Sequence, residues 1–174
     1  MFSLTLSPPS GHTKWPHQVA TPSGHTKWAK EDNTVATSKT ILLADADDND
    51  LFFCQYALEQ AGMGENVVVA HVGQEVIDYL GSTISTNHRA PVAPRPALLL
   101  LDLKILRCDA FAVLSWIKQN PALKEMPVII FSDLTAPEEI ERARTLGAKD
   151  YFCKPHALAA YSTILREILS RWAQ

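Results

Sequence analysis

Four acidic side chains, Asp45, Asp47, Asp48 and Asp50, follow directly on the apolar run ILLA at 41–44. Three later apolar runs also end on reactive groups. LLLL at 98–101 ends at Asp102, VIIF at 128–131 at Ser132, and YFC at 151–153 at Lys154. Carboxylates at close quarters repel one another and call for a cation; a hard divalent ion such as Mg²⁺ takes oxygen ligands and keeps several waters. A carboxylate can attack phosphorus and become an acyl phosphate. The cation and an ammonium group then neutralise the phosphoryl group in transit. A hydroxyl can donate a hydrogen bond to the new phosphoryl oxygen and so sense it. Any one of these residues is as readily a turn residue or a helix cap. Two carboxylates, a hydroxyl and an ammonium at four run ends are harder to explain as caps.

For these groups to meet, the runs must be neighbouring strands. From Thr40 onward, short apolar stretches alternate with amphipathic ones. Strands are expected at 41–44, 66–72, 97–101, 127–131 and 150–153. Helices are expected at 48–62, after Gly73, and at 109–119, 135–146 and 157–172. Asp47 or Asp48 suits the N-cap of the first helix. Thr135-x-x-Glu138 with Pro137 reads as a capping box. Residues 81–96, with three prolines and no period, read as a loop. Five strand–helix repeats imply a parallel α/β sheet covered on both faces, with right-handed crossovers. The unbroken apolar strands agree, because strands buried on both faces need no polar alternation. In such folds the working site lies beyond the carboxyl ends of the strands.

The chain has 174 residues and a net charge of -3, so its overall charge gives no sign of nucleic-acid or anionic-membrane binding. No apolar run approaches the ~18 residues that span a bilayer. Cys54, Cys108 and Cys153 are widely spaced and read as reduced core thiols, consistent with a cytoplasmic protein. Residues 1–39 read as a disordered arm, rich in Pro, Ser, Thr, His and Gly, that carries PSGHTKW twice, at 9–15 and 22–28. The domain is expected over 40–174.

The motifs ILLADADD, LLLLDL, VIIFS and YFCKP together resemble the receiver domain of two-component response regulators. The spacing is similar too: Ser132 lies 30 residues after Asp102, and Lys154 lies 22 after Ser132. The resemblance implies a flavodoxin-like sheet in the order 2-1-3-4-5. It also implies roles: Asp102 as phosphoacceptor, with Asp45, Asp102 and the Lys104 backbone carbonyl on Mg²⁺. Ser132 becomes the switch hydroxyl, Lys154 the phosphoryl-binding lysine and Tyr151 the rotamer-switch aromatic, with a cis Lys154–Pro155 bond. The implied partners are a histidine kinase or phosphotransfer protein and a downstream protein target. The readout face would be the fourth helix, fifth strand and fifth helix, with Arg142, Tyr151, His156, Tyr161 and Trp172. Trp172 looks surplus to one core and suggests a homodimer. Catalysis would extend at most to self-phosphorylation and autodephosphorylation. The long 81–96 loop resembles single-domain receivers that serve phytochrome-type kinases, and no output domain is expected after the last helix.

The pattern breaks at Ala46, where the family usually carries a second acid that ligates the metal. Two readings follow: a phosphorylated receiver with a weakened Mg²⁺ site, with Asp47 a candidate to turn inward, or a degenerate receiver that acts by protein contact alone. Leu106 and Ala110 stand where the family favours proline and glycine. If that glycine takes a positive φ, Ala110 would cost about 1 kcal/mol or force another loop shape. A haloacid-dehalogenase-type phosphatase needs a second acid two residues after its nucleophile, and Lys104 occupies that place. A DNA-binding reading lacks both a helix-turn-helix and a basic stripe.

Overall fold

A computed structural model describes residues 19–20, 26–27, 39–84 and 91–173. In the N-terminal unit, Val19–Ala20 pairs antiparallel with Thr26–Lys27. Apart from Lys39, the rest of the expected disordered arm, including the first copy of its repeat and most of the second, lies outside the described residues.

In the second unit, β1 (Ile41–Ala44), β2 (Val67–Ala70), β3 (Leu98–Leu101), β4 (Val128–Ser132) and β5 (Asp150–Cys153) form one parallel sheet. Its order is β2-β1-β3-β4-β5, the expected 2-1-3-4-5. All four residues of β3 are at most 1% exposed, as a strand covered on both faces requires. The helices are α1 (Asp48–Gln60), α2 (Gly73–Ser82), α3 (Ala110–Gln119), α4 (Pro137–Thr145) and α5 (Leu158–Trp172). Alternate strand residues point to opposite faces, and two cores result. Leu42, Leu99, Leu101 and Ile130 pack with α2, α3 and the α4 residue Ala143 on one side. Ile41, Leu43, Leu100 and Phe131 pack with α1 and α5 on the other.

Register brings the strand ends together. Ala44 pairs with Ala70 on one side and Leu101 on the other. The ladder continues one step: Asp45 N donates to Ala70 O at 3.0 Å, and Asp102 N donates to Ala44 O at 2.9 Å. Across the sheet, Ser132 pairs with Cys153, and Lys154 N donates to Ser132 O at 3.0 Å. Asp45, Asp102, Ser132 and Lys154 are therefore fixed by backbone at one edge.

Three local expectations need correction. The capping box at Thr135 and Glu138 does not form. Ala136 is the N-cap and has no side-chain bond, so Thr135 sits one position too early to reach the third helical N–H. Pro137 opens α4 instead, at a position where the missing N–H costs nothing. Ala110 is not left-handed: it is the first residue of α3, fully buried behind the Asp109 N-cap. The left-handed residue in that loop is Arg107, with φ 63°. Finally, no described peptide bond is cis, so Lys154–Pro155 is trans. Trans is the intrinsically preferred isomer even before proline, and ion pairs, described below, aim the lysine.

The β3–α3 loop is clipped to the start of α2. Gly73 N donates to Leu106 O at 3.0 Å, and Val72 bridges Leu106. A Cβ on Gly73 would lie 2.0 Å from the Cys108 carbonyl oxygen, which explains the glycine.

Candidate functional site

The C-terminal edge of the sheet carries a buried cluster of polar side chains. Asp45 is 2% exposed, Asp102 3%, Ser132 0% and Lys154 6%. Lys154 Nζ is its hub, 2.6 Å from Asp45 Oδ2, 2.8 Å from Asp50 Oδ2 and 3.4 Å from Asp102 Oδ2. Burial pulls the Lys154 pKa down, but hydrogen bonds to Asp45 and Asp50 and the charge of Asp102 outweigh it and hold the lysine above its usual range. Burial dominates at Asp45 and raises its carboxyl, helped by the Asp102 charge and opposed by Lys154 and the Asp47 N–H. The other Asp102 oxygen, Oδ1, is buried and has no hydrogen-bond partner. A buried orphan acceptor is rare and costly.

Asp47 does not turn inward. Its exposed carboxylate caps α1, accepting from Asn49 N at 2.8 Å and Asp50 N at 3.3 Å, and these bonds lower its pKa. The carboxylate that does turn inward is Asp50, whose Oδ1 accepts from the Tyr161 hydroxyl at 2.7 Å. Sequence reasoning missed it, though a signal existed. Asp50 lies four residues before Cys54 and seven before Ala57, on the buried face of α1. Tyr161 is 2% exposed and serves the core and this bond rather than a readout surface. Trp172, read as surplus to a single core, packs against the α1–α5 core.

Ser132 Oγ accepts from Leu134 N at 3.4 Å. The Tyr151 hydroxyl donates to the Leu134 carbonyl, so Ser132 and Tyr151 meet at the β4–α4 loop. Burial, and then the charge of Glu139, push the Tyr151 pKa up to about 12. Lys104 sends its side chain to Asp133 at 2.6 Å, tying the β3–α3 loop to the β4–α4 loop. Arg142 lies over the Phe111 ring, 3.9 Å from its centroid, joining α4 to α3. Of the three cysteines, all free, Cys54 is buried as expected and Cys153 is exposed.

The donor set fits a hard cation in kind. Asp45 and Asp102 offer only oxygen, and the orphan Asp102 Oδ1 is a lone acceptor left for a cation or a phosphoryl group. It is short in number, since Ala46 contributes no oxygen, and among the described residues no group of three or more His, Cys, Asp and Glu side chains is arranged around a common metal position. Among the described residues no helix is long and apolar enough to cross a membrane.

A five-stranded sheet in this order, with acids, a hydroxyl and a lysine gathered at its carboxyl edge, defines a signalling receiver. Residues 41–166 match the response regulator receiver domain, and the chain belongs to that family. It is 26% identical over 136 residues to the response regulator Rcp1 of Synechocystis, covering 78% of this chain and 90% of Rcp1. It is also 26% identical over 132 residues to a probable methanogenesis regulatory protein, FilR2, of Methanothrix harundinacea, covering 76% and 82% of the two chains. Among solved structures, the phosphorylated cyanobacterial phytochrome response regulator RcpA superposes with a TM-score of 0.69 at 29% identity, covering 78% of this chain and 94% of that one. The Mn²⁺-bound form of Rcp1 gives 0.65 at 27%, covering 77% and 94%. The likeness to phytochrome-associated regulators expected from the long loop is therefore shown. As a family, receivers accept phosphoryl groups, bind Mg²⁺ and engage histidine kinases or phosphotransfer proteins and downstream targets.

Proposed function

We propose that this chain is a response regulator that accepts a phosphoryl group on Asp102 from a histidine kinase or phosphotransfer protein and thereby changes which protein it binds. The observation that carries this reading is the orphan oxygen of Asp102, buried 3.4 Å on its other side from the Lys154 ammonium. Bound Mg²⁺, held by Asp45, Asp102 and the Lys104 carbonyl, would supply charge neutralisation during transfer. The chain's own residues do the rest. Asp102 presents the attacking oxygen, and Lys154 holds a positive charge beside it. Ser132 stands at the end of β4 to donate to the new group. Phosphorylation adds close to two negative charges, which draw Ser132 from Leu134 N and so loosen the loop that Tyr151 fastens. This biases an existing equilibrium rather than creating a new state.

Ala46 favours a second reading, a receiver that works by contact without phosphoryl chemistry. Incubation with acetyl phosphate or phosphoramidate and Mg²⁺, followed by intact-mass measurement, separates the two. Under the first reading the wild type gains a phosphoryl adduct and Asp102→Asn does not. No adduct at any Mg²⁺ concentration would leave the second.

A further inference from the structure

The geometry points to the groove between α3 and α4 as the docking site for a basic segment of a partner protein. This names the surface and the chemistry of a partner that the receiver reading leaves open, but it rests on the groove itself. The groove holds about 560 Å³, within the about 300–1,000 Å³ typical of ligand clefts. It exists because α4 packs loosely: of the helix's nine residues only Ala143 is buried. On the α3 side, Ala112 and Ser115 are too small to fill the gap. Phe111 gives the groove an aromatic wall, and the Arg142 guanidinium lies over that ring, 3.9 Å from its centroid.

Charge selects the occupant. Three carboxylates line the groove, Asp109, Glu138 and Glu141, against one cation, Arg142, for a net charge of about minus two. Asp109 is committed to capping α3, its carboxylate accepting from Ala112 N at 2.8 Å. Glu138 and Glu141 are exposed and, among the described residues, make no ion pair. Three residues apart on a helix, they share one side of α4. A nucleic acid or an anionic membrane would be repelled here. A partner's lysine or arginine would be drawn to the two glutamates, and its apolar neighbours would lie against Ala112 and Leu146. Phe111 already receives a guanidinium on its face, as aromatic rings do. Arg142 is therefore the chain's own competitor for the incoming cation. The α4 wall also follows directly on the β4–α4 loop where Ser132 and Tyr151 meet, so a partner seated here touches the helix that this loop carries.

The test is NMR titration of the isotope-labelled full chain with three peptides of equal length, one of arginine and leucine, one of glutamate and leucine, one of arginine and glycine. The arginine–leucine peptide should move the amides of Phe111, Ala112, Ser115 and α4. The glutamate–leucine peptide should move none of them, and the arginine–glycine peptide should bind more weakly than the first. Glu138→Gln combined with Glu141→Gln removes two charges several ångströms from the bound cation, and even at the dielectric of water should weaken binding about tenfold. Arg142→Ala should tighten it about threefold, because a like charge is gone and the Phe111 ring is bared; a merely structural arginine would give no gain. Glu59→Gln, an exposed acid on α1, should leave the affinity unchanged. Shifts spread evenly over α1 and α5, or full affinity in the double glutamine variant, would overturn the inference. So would preference for the acidic peptide, or groove shifts that grow with protein concentration alone and make a second copy the occupant. A phosphoryl adduct on Asp102 without groove binding would sink this inference and leave the receiver reading; groove binding without an adduct would do the reverse.

Discussion

Replacing Lys154 by methionine tests the electrostatics of the pocket most directly. The substitution keeps the volume and removes the charge that three carboxylates share, at 2.6, 2.8 and 3.4 Å. Because all three touch one nitrogen, they lie within about 6 Å of one another, and at an effective dielectric near 20 two such charges repel by about 3 kcal/mol. Removing one partner of a buried ion pair costs about 3–5 kcal/mol, and Lys154→Met should lose that much at pH 7.5. The loss must depend on pH. Without the ammonium, the carboxylates are raised in the folded state relative to the unfolded one. A raised acid binds protons more tightly when folded, so the variant regains stability as pH falls toward 5, whereas the loss persists at higher pH. Mg²⁺ should stabilise the variant more than wild type, because the ion then replaces the missing charge. Urea unfolding at pH 7.5 and 5.5, with and without Mg²⁺, reads all three effects. A loss below about 1 kcal/mol at pH 7.5, or an equal loss at both pH values, would refute the idea that the lysine neutralises a carboxylate cluster.

Gly73→Ala pushes a methyl against the Cys108 carbonyl, where its carbon would lie 2.0 Å from the oxygen. Backbone must shift, so a loss of about 2–3 kcal/mol in thermal unfolding is expected; a change under about 0.5 kcal/mol would mean the clip between α2 and the β3–α3 loop is loose. Tyr151→Phe removes the hydroxyl bond to Leu134 and should cost about 1 kcal/mol. The Tyr151 pKa is raised from 10.0 to about 12, so its stabilisation is present below pH 10 and is lost as pH climbs toward 12. Wild type should therefore lose its advantage over Tyr151→Phe across that window in alkaline unfolding, and a constant difference would refute the assignment. Lys104→Ala and Asp133→Ala each open the exposed pair that ties two loops beside a nearly closed Asp102. Both should melt close to wild type and acquire phosphate from acetyl phosphate faster; an equal or slower rate would show that the pair does not limit access.

Much of this was legible in the sequence, because register in a parallel sheet follows from apolar runs. ILLA, LLLL, VIIF and YFC fixed which residues stood at the strand ends, and the backbone ladder did the rest. What could not be read depended on side-chain direction across long separations. Asp50 reaches Lys154 over 104 residues and Tyr161 over 111. No local rule announces such pairs, although the helical period of α1 already put Asp50 on the inner face. Asp47 was the more conspicuous acid, yet its place just before the helix committed it to capping. In the β3–α3 loop the resemblance drew attention to Ala110, where a positive φ would have been costly, whereas the chain placed its left-handed residue three positions earlier, at Arg107. The Thr135-x-x-Glu138 pattern also placed the start of α4 too early, since the helix opens at Pro137 with no side-chain cap.

The sheet separates two cores, and the pocket's residues divide along that partition. Lys154 is held through Asp50 and Tyr161 by the α1–α5 layer, while Tyr151 belongs to the layer of α2, α3 and α4. The lysine's anchorage and the Tyr151 ring thus lie on opposite faces of the sheet, joined through its strands and through the Ser132–Leu134 contact. Substitutions on the α4 side can accumulate without disturbing the lysine's anchorage, and α5 can drift at its surface without touching the loop that Tyr151 fastens. A lineage built on such a wall can vary one face while keeping the other.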